Sequence, residues 1–182
     1  IYSKDGHYIE GFEVMQEEAA AYEGPALPED IYPESTSFTH SLLLVKQTGV
    51  NCGYCPIMRS SLIYFEEMYP EYNDNYVVVE CHGGGFAGNS DPAYSAAAKV
   101  VDNFYNVTAY PTLDVNFYAT TEIVGGIPER QFSTEMIDVF NNYLNEDGAD
   151  AGISIATEVD TDVIYVSAGI KAAVEQEYKV TA

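Results

Sequence analysis

Between Ser41 and Asn145 the chain alternates apolar runs with helical stripes. Ser41 to Gln47 carries Leu42, Leu43, Leu44 and Val45 in succession, the continuous run of a strand buried on both faces. Pro56 to Tyr69 places Met58, Leu62, Phe65 and Tyr69 on one side of a helix, with Glu66 and Glu67 off that stripe. Tyr76 to Cys81 is a second apolar strand through Val77, Val78 and Val79. Ala93 to Tyr105 predicts a second helix with Ala97, Val100, Val101 and Phe104 inward. Thr112 to Tyr118 and Thr121 to Val124 are close enough to pair as a hairpin ended by Gly125-Gly126, and Ser133 is placed to cap a third helix through Asn145 with Met136, Ile137, Phe140 and Leu144 inward. Strands separated by helices pair in parallel, and the late hairpin adds an antiparallel edge. The expected fold is therefore α/β, in the order β-α-β-α-β-β-α, with a central mixed sheet covered by helices on both faces.

The ends read differently. Residues 1–37 are polar and acidic, with Pro25, Pro28 and Pro33 in the second half, and predict an extended arm or linker. Tyr8, Ile9, Phe12 and Val14 suit a short strand pair turned at Asp5-Gly6. After the core domain at 38–147, period two returns over 148–182, through Ile153, Ile155, Ile164, Val166, Val174, Tyr178 and Val180. That pattern predicts short strands with turns near Asp160-Thr161-Asp162 and Ala168-Gly169. So few residues make no stable sandwich alone, and the extension is expected to pack on the main domain or to begin a β-sandwich module.

Composition narrows the function. The 182 residues are 47% hydrophobic, enough for a core without staples, and carry 7 Lys+Arg against 29 Asp+Glu, a net charge of −22. Such a surface repels phosphate backbones, so nucleic acid and polybasic membrane docking are excluded as partners. No apolar run is long enough for a transmembrane helix, which leaves a lipid anchor, if one exists, outside this chain. Three cysteines, Cys52, Cys55 and Cys81, are too few for a disulfide framework.

Cys52-Gly53-Tyr54-Cys55 lies between a buried strand and a helix start. Unpaired amides there stabilise a thiolate, and the two-residue spacer lets the second sulfur close a small disulfide, making the first cysteine the exposed nucleophile and the second the buried resolving thiol. An inert disulfide or half a zinc site are the alternatives at this stage. Tyr110-Pro111-Thr112, just before the third strand, is a second signal, because a cis X-Pro bond there would face the CxxC loop. Gly83-x-Gly85-x-x-Gly88 matches a dinucleotide fingerprint in letters only, since Asn89 to Pro92 delays the helix that would meet a pyrophosphate. Cys81-His82 is poorly spaced to complete a zinc set with Cys52 and Cys55. Neither a metal nor a cofactor is called for.

Strand, CxxC, helix, strand, helix, X-Pro, hairpin and helix, in that order from about His40 to Asn145, resemble the thioredoxin superfamily. The resemblance implies a thioredoxin-like fold, with Cys52 attacking, Cys55 resolving and Pro111, with Tyr110, Gly53 and Tyr54, contacting substrate. The Gly53-Tyr54 pair also resembles that of bacterial periplasmic disulfide isomerases. Two positions depart from the pattern: Lys46 stands where thioredoxin has a buried acid, and Asn51 where a Trp usually precedes the motif. Pointed at the cysteines, Lys46 would favour thiolate; otherwise it snorkels to solvent. Cys55-Pro56 together with His82-Gly83-Gly84-Gly85-Phe86-Ala87 resembles the thioredoxin-like outer-membrane protein family of Bacteroidetes, which joins such a domain to β-sandwich modules. That resemblance implies a thiol-disulfide oxidoreductase or isomerase acting on protein thiols and disulfides, in the periplasm or at the outer membrane or surface of a Gram-negative cell. The competing expectation is a non-enzymatic binding or adhesion module on the same scaffold.

Overall fold

A computed structural model describes residues 24–84, 90–117, 121–144, 148–160 and 163–175. The chain divides into two compact units, one formed by His40–Glu146 and the other by Ile1–Thr39 together with Asp147–Ala182. Segments expected as a separate arm and extension thus belong to one unit. The pair of strands expected around Asp5-Gly6 lies outside the described residues.

In the first unit the elements are β1 (Leu42–Gln47), α1 (Cys55–Met68), a 3-10 turn (Pro70–Asn75), β2 (Tyr76–Cys81), α2 (Ala96–Phe104), β3 (Thr112–Val115), β4 (Thr121–Val124) and α3 (Glu129–Tyr143). The sheet order is β2-β1-β3-β4. β1 runs parallel to β2 and antiparallel to β3, and β3 and β4 form the hairpin. This is the mixed α/β sheet of the thioredoxin-like fold. The pleat of β1 explains its unbroken apolar run: Leu42 and Leu44 enter the core under α1 and α3, while Leu43 and Val45 meet Ala98, Val101 and Tyr105 on the α2 side. The larger core is aromatic at its centre, where Phe140 stacks on Phe65 at 5.9 Å and on Tyr72 at 4.6 Å between ring centroids.

Two helices differ from expectation. α2 buries Ala98 and Asp102 most deeply; of the expected stripe Ala97-Val100-Val101-Phe104, Val101 and Phe104 pack half-buried on the same core, and Val100 is exposed. Its start is set by Ser95, whose Oγ accepts the Ala98 amide at 3.0 Å. α3 starts a turn before Ser133, with Pro128 as the flanking residue and Glu129 in the first turn, where an acid suits the positive helix end. Ser133 instead returns a hydrogen bond to the Glu129 carbonyl at 2.9 Å.

Among the described residues, the strands of the second unit form a hairpin, β5 (Ala151–Asp160) paired antiparallel with β6 (Val163–Ala172). The turn expected at Ala168-Gly169 is absent, since Ala168 pairs with Ile155 and Gly169 with Ser154 inside the ladder. Glycine marks a close approach there: a Cβ on Gly169 would stand 2.8 Å from Leu27 Cδ1. Residues of the 24–38 segment lie over this face, with Lys171 Nζ donating to Asp30 Oδ2 at 3.0 Å and to the Tyr32 carbonyl at 2.7 Å. On the opposite face Ile153, Ile155, Val159, Ile164, Val166 and Ile170 are all exposed.

Asp114 is fully buried at the middle of β3. Thr121 and Gln47 lower its proton affinity in part, short of well-formed hydrogen bonds, so neither its carboxylate oxygens nor the Gln47 amide is satisfied among the described residues. Burial dominates and pushes the carboxyl from 3.8 up to about 6. A folded value above the unfolded one means that the unfolded chain ionises first as pH rises, so stability is lost between about pH 4 and about pH 6. Asp114→Asn, whose amide can pair with Gln47, is expected to raise stability at neutral pH by up to about 3 kcal/mol and to leave it unchanged in acid, as read by urea denaturation at both pH values.

Candidate thiol-disulfide site

The chain leaves β1 at the point where its neighbours diverge, and Thr48 N–H still bonds the Cys81 carbonyl at 2.9 Å. The loop then tightens, with Cys52 N–H on the Gly49 carbonyl at 3.1 Å. Cys52 and Cys55 are joined by a disulfide with Cα atoms 5.4 Å apart. α1 begins at Cys55, and its flanking Tyr54 offers no side-chain cap, so the first amides need other acceptors. One of them is sulfur: the Cys55 N–H donates to Cys52 Sγ at 3.1 Å. Pro56 sits in the first turn without losing a bond. The expected contrast between an exposed first and a buried second cysteine is absent, since Cys52 is 7% and Cys55 6% exposed. Between the two cysteines, Gly53 and Tyr54 face solvent, as do Val50 and Asn51 before them.

Tyr110 closes the other side. It is buried, packs with Cys52 and Cys55, and precedes Pro111 across a cis peptide bond. Its hydroxyl donates to Asp102 Oδ2, which reaches from the buried side of α2. The backbone of Gly83 passes so near that any side chain there would overlap the Asp102 carboxyl. Burial raises the proton affinity of Asp102, opposed by the Tyr110 hydrogen bond and by Lys99, whose Nζ stands 4.0 Å away. Cys81, the remaining cysteine, is buried with its thiol pushed up to about 11 by burial and by Asp102, so it is inert at neutral pH.

A second buried carboxylate holds the loop before Cys52. Asp91 Oδ2 accepts the Val50 amide at 3.0 Å and lies 2.8 Å from His82 Nδ1, while Oδ1 accepts the Ala93 amide at 2.9 Å. Burial alone would raise this carboxyl; the hydrogen bonds from His82, Val50 and Ala93 outweigh it and hold Asp91 below the ordinary carboxylate range. His82 is thereby committed to Asp91. Gly85 to Ala87, the rest of the run that begins at His82, lie outside the described residues, and α2 starts only at Ala96, too late for a helix end to meet a pyrophosphate.

Lys46 takes neither expected path. Its side chain is 2% exposed and its Nζ lies 2.6 Å from Glu80 Oε1, the register neighbour on β2. The hydrogen bond from Lys46, against burial, holds Glu80 below its usual range. A cation on a buried strand needs a counter-charge, and the nearest strand supplies one. Gly126, after β4, comes close to the start of α1: a Cβ there would stand 2.9 Å from both the Tyr54 carbonyl and Ile57 Cβ. The structure thus brings Cys52, Cys55, Gly53, Tyr54, Tyr110 and Pro111 to one end of the sheet. Asp91 and Asp102 are additions that the sequence pattern does not single out, and His82, weighed there as a zinc ligand, is instead paired with Asp91. Asp102 left one signal, a carboxylate in register with Ala98 and Tyr105 on a single helical stripe.

No family profile and no curated protein matches the chain. Among solved structures, the germline-specific thioredoxin Deadhead of Drosophila melanogaster is similar over 73% of this chain and 98% of that one, at 13% identity and a TM-score of 0.38. A likeness that low adds nothing to what the strand order already establishes.

Asp91→Asn is expected to free the Val50 amide without unfolding the sheet, which hydrogen exchange would report as an increase of about tenfold at Val50 and little change at Leu44. Because Asp91 is held below its ordinary value, its support of the loop in the unsubstituted protein is complete above the unfolded pKa and is lost as pH falls through the folded one.

Proposed function

We propose that this chain is a thiol-disulfide oxidoreductase or isomerase in which Cys52 attacks and Cys55 resolves. The observation that carries the reading is the Cys55 amide aimed at Cys52 Sγ, at the start of a helix. Once the pair is reduced, that N–H and the helix end favour the charged form of Cys52 over that of an ordinary thiol. The Cys52 thiolate attacks one sulfur of a substrate disulfide, forming a mixed disulfide and releasing one substrate thiolate. Cys55 then attacks Cys52, closing the pair and releasing the second substrate thiolate, so two electrons pass from the pair to the substrate. The reverse sequence oxidises a substrate dithiol.

Tyr110 and Pro111, with Gly53 and Tyr54, form the substrate side of this reading. Val50, Tyr54 and Ile57 are exposed apolar side chains of the same loop and helix start, which suits protein segments with unburied apolar residues. Lys46, committed to Glu80, acts on the thiols only through its field. A cell-envelope setting, in the periplasm or at the outer membrane or surface of a Gram-negative cell, belongs to the same proposal. It rests on the likeness of Cys55-Pro56 and of the His82 to Ala87 run to the outer-membrane family of Bacteroidetes, as does the assignment of the β5–β6 unit to a β-sandwich module. A binding or adhesion module is the second reading, favoured by the low exposure of both cysteines and by the apolar side chains exposed on one face of the hairpin among the described residues.

Reduction of a model protein disulfide separates the two. Cys52→Ser is expected to lose at least about a hundredfold in rate, and Cys55→Ser to accumulate a mixed disulfide at Cys52. Equal rates for the unsubstituted protein and Cys52→Ser would leave the binding module.

A further inference from the structure

The mechanism above uses no acid, yet Asp102 is 3% exposed and one of its oxygens, Oδ1, has no hydrogen-bond partner among the described residues. Its other oxygen is bound by Tyr110, whose ring rests on Cys52 and Cys55. A buried carboxylate that is half satisfied is costly, and replacement by an apolar residue would relieve the cost. The Gly83 backbone, just after β2, approaches this carboxyl so closely that a Cβ there would overlap it. We propose that Asp102, acting through Tyr110, is a positioning residue that sets the proton affinity of the Cys52–Cys55 thiols, opposing a thiolate while ionised and permitting it once protonated. The proposal rests on the thiol-disulfide reading and adds to it a proton-linked control.

Reduction takes two electrons from a substrate dithiol, which closes to a disulfide, and leaves the protein pair as a dithiol that releases a proton to become reactive. That release creates negative charge beside Tyr110. An ionised Asp102 at the far end of the same side chain repels this charge in a weakly screened interior, so the carboxyl and the thiol titrate as a coupled pair. The titratable groups that face Asp102 are Tyr110 from the loop before β3, Lys99 from its own helix and Cys81 from β2. Tyr110 and Lys99 favour the ionised carboxylate, and Cys81 stays protonated at neutral pH. The proton affinity of Asp102 is raised by burial, so its titration is displaced toward that of the thiol.

The test is the rate of alkylation of Cys52 by iodoacetamide in the reduced protein from about pH 4 to about pH 9, read at that residue by peptide mass. The unsubstituted protein is expected to show a shallow rise spread over two linked steps. Asp102→Asn is expected to collapse it to a single steeper rise at lower pH, with about tenfold faster alkylation near pH 6, the equivalent of one pKa unit. Lys99→Gln, at a side chain 48% exposed and therefore safe for folding, removes a cation that favours ionised Asp102 and is expected to move the acidic step to higher pH. Profiles of both variants that superimpose on the unsubstituted protein would overturn the proposal, and if Asp102→Asn does not fold, the presence or absence of the Lys99→Gln shift decides it. The thiol-disulfide reading is judged separately, by whether the unsubstituted protein exchanges disulfides at all, so either can fail while the other stands.

Discussion

Everything in the candidate site depends on β1 being buried on both faces. Leu42 and Leu44 go to one core, Leu43 and Val45 to the other, and the strand is bonded on both edges to partners of opposite sense. A strand fixed in this way has no freedom to slip, because a one-residue shift would exchange its two apolar faces and drive Lys46 and Gln47 into the wrong layers. Its end is therefore a fixed point from which the Thr48 to Tyr54 loop departs. The end of β2 and the approach to β3 lie beside it, which is where an open mixed sheet leaves a crevice. Chemistry is placed there by topology before any side chain is chosen.

On that frame the protein uses charge sparingly but deliberately. The surface is strongly acidic, with a net charge of −22, yet the acids that matter are the ones withdrawn from solvent. Asp91 is fully satisfied and acts as a strut between the loop before Cys52, His82 and the entrance to α2. Asp102 is half satisfied and touches the site through Tyr110. Asp114, in the middle of β3, has neither carboxylate oxygen satisfied among the described residues. Three carboxylates of one chemistry thus differ in proton affinity because burial is balanced by hydrogen bonds in the first, partly in the second and hardly in the third.

How much of this could be read from the sequence follows from the range of the interactions involved. β1, β2 and α1 were legible because their signals are local: an apolar run, a helical stripe, a CxxC followed by Pro56. The burial of Asp102 on α2 was not, because a carboxylate counts as a surface residue until Tyr110 and Gly83 are known to surround it, whereas Val101 and Phe104 of the expected stripe do pack inward. The start of α3 was displaced by Pro128, a stronger boundary than the serine one turn later. Gly169 read as a turn although it is a strand position made small for Leu27, a residue far away in the chain. Lys46 could not be placed from sequence, since its partner Glu80 becomes a neighbour only through parallel pairing. The strut at Asp91 spans 41 positions to Val50 and has no motif of its own. Local patterns located the cysteines, and the long-range contacts that surround them emerged only with the fold.

Thiol-disulfide exchange at this site requires Cys52 and Cys55 to form a reversible two-electron couple in the folded protein. Equilibration with graded ratios of reduced to oxidised glutathione, followed by acid quenching and mass analysis of trapped thiols, tests it most directly. One transition with a two-electron slope is expected, in which Cys52 and Cys55 gain label together while Cys81 gains label only after denaturation. A pair that stays oxidised at every ratio until the protein is unfolded would contradict it and leave the disulfide a structural staple.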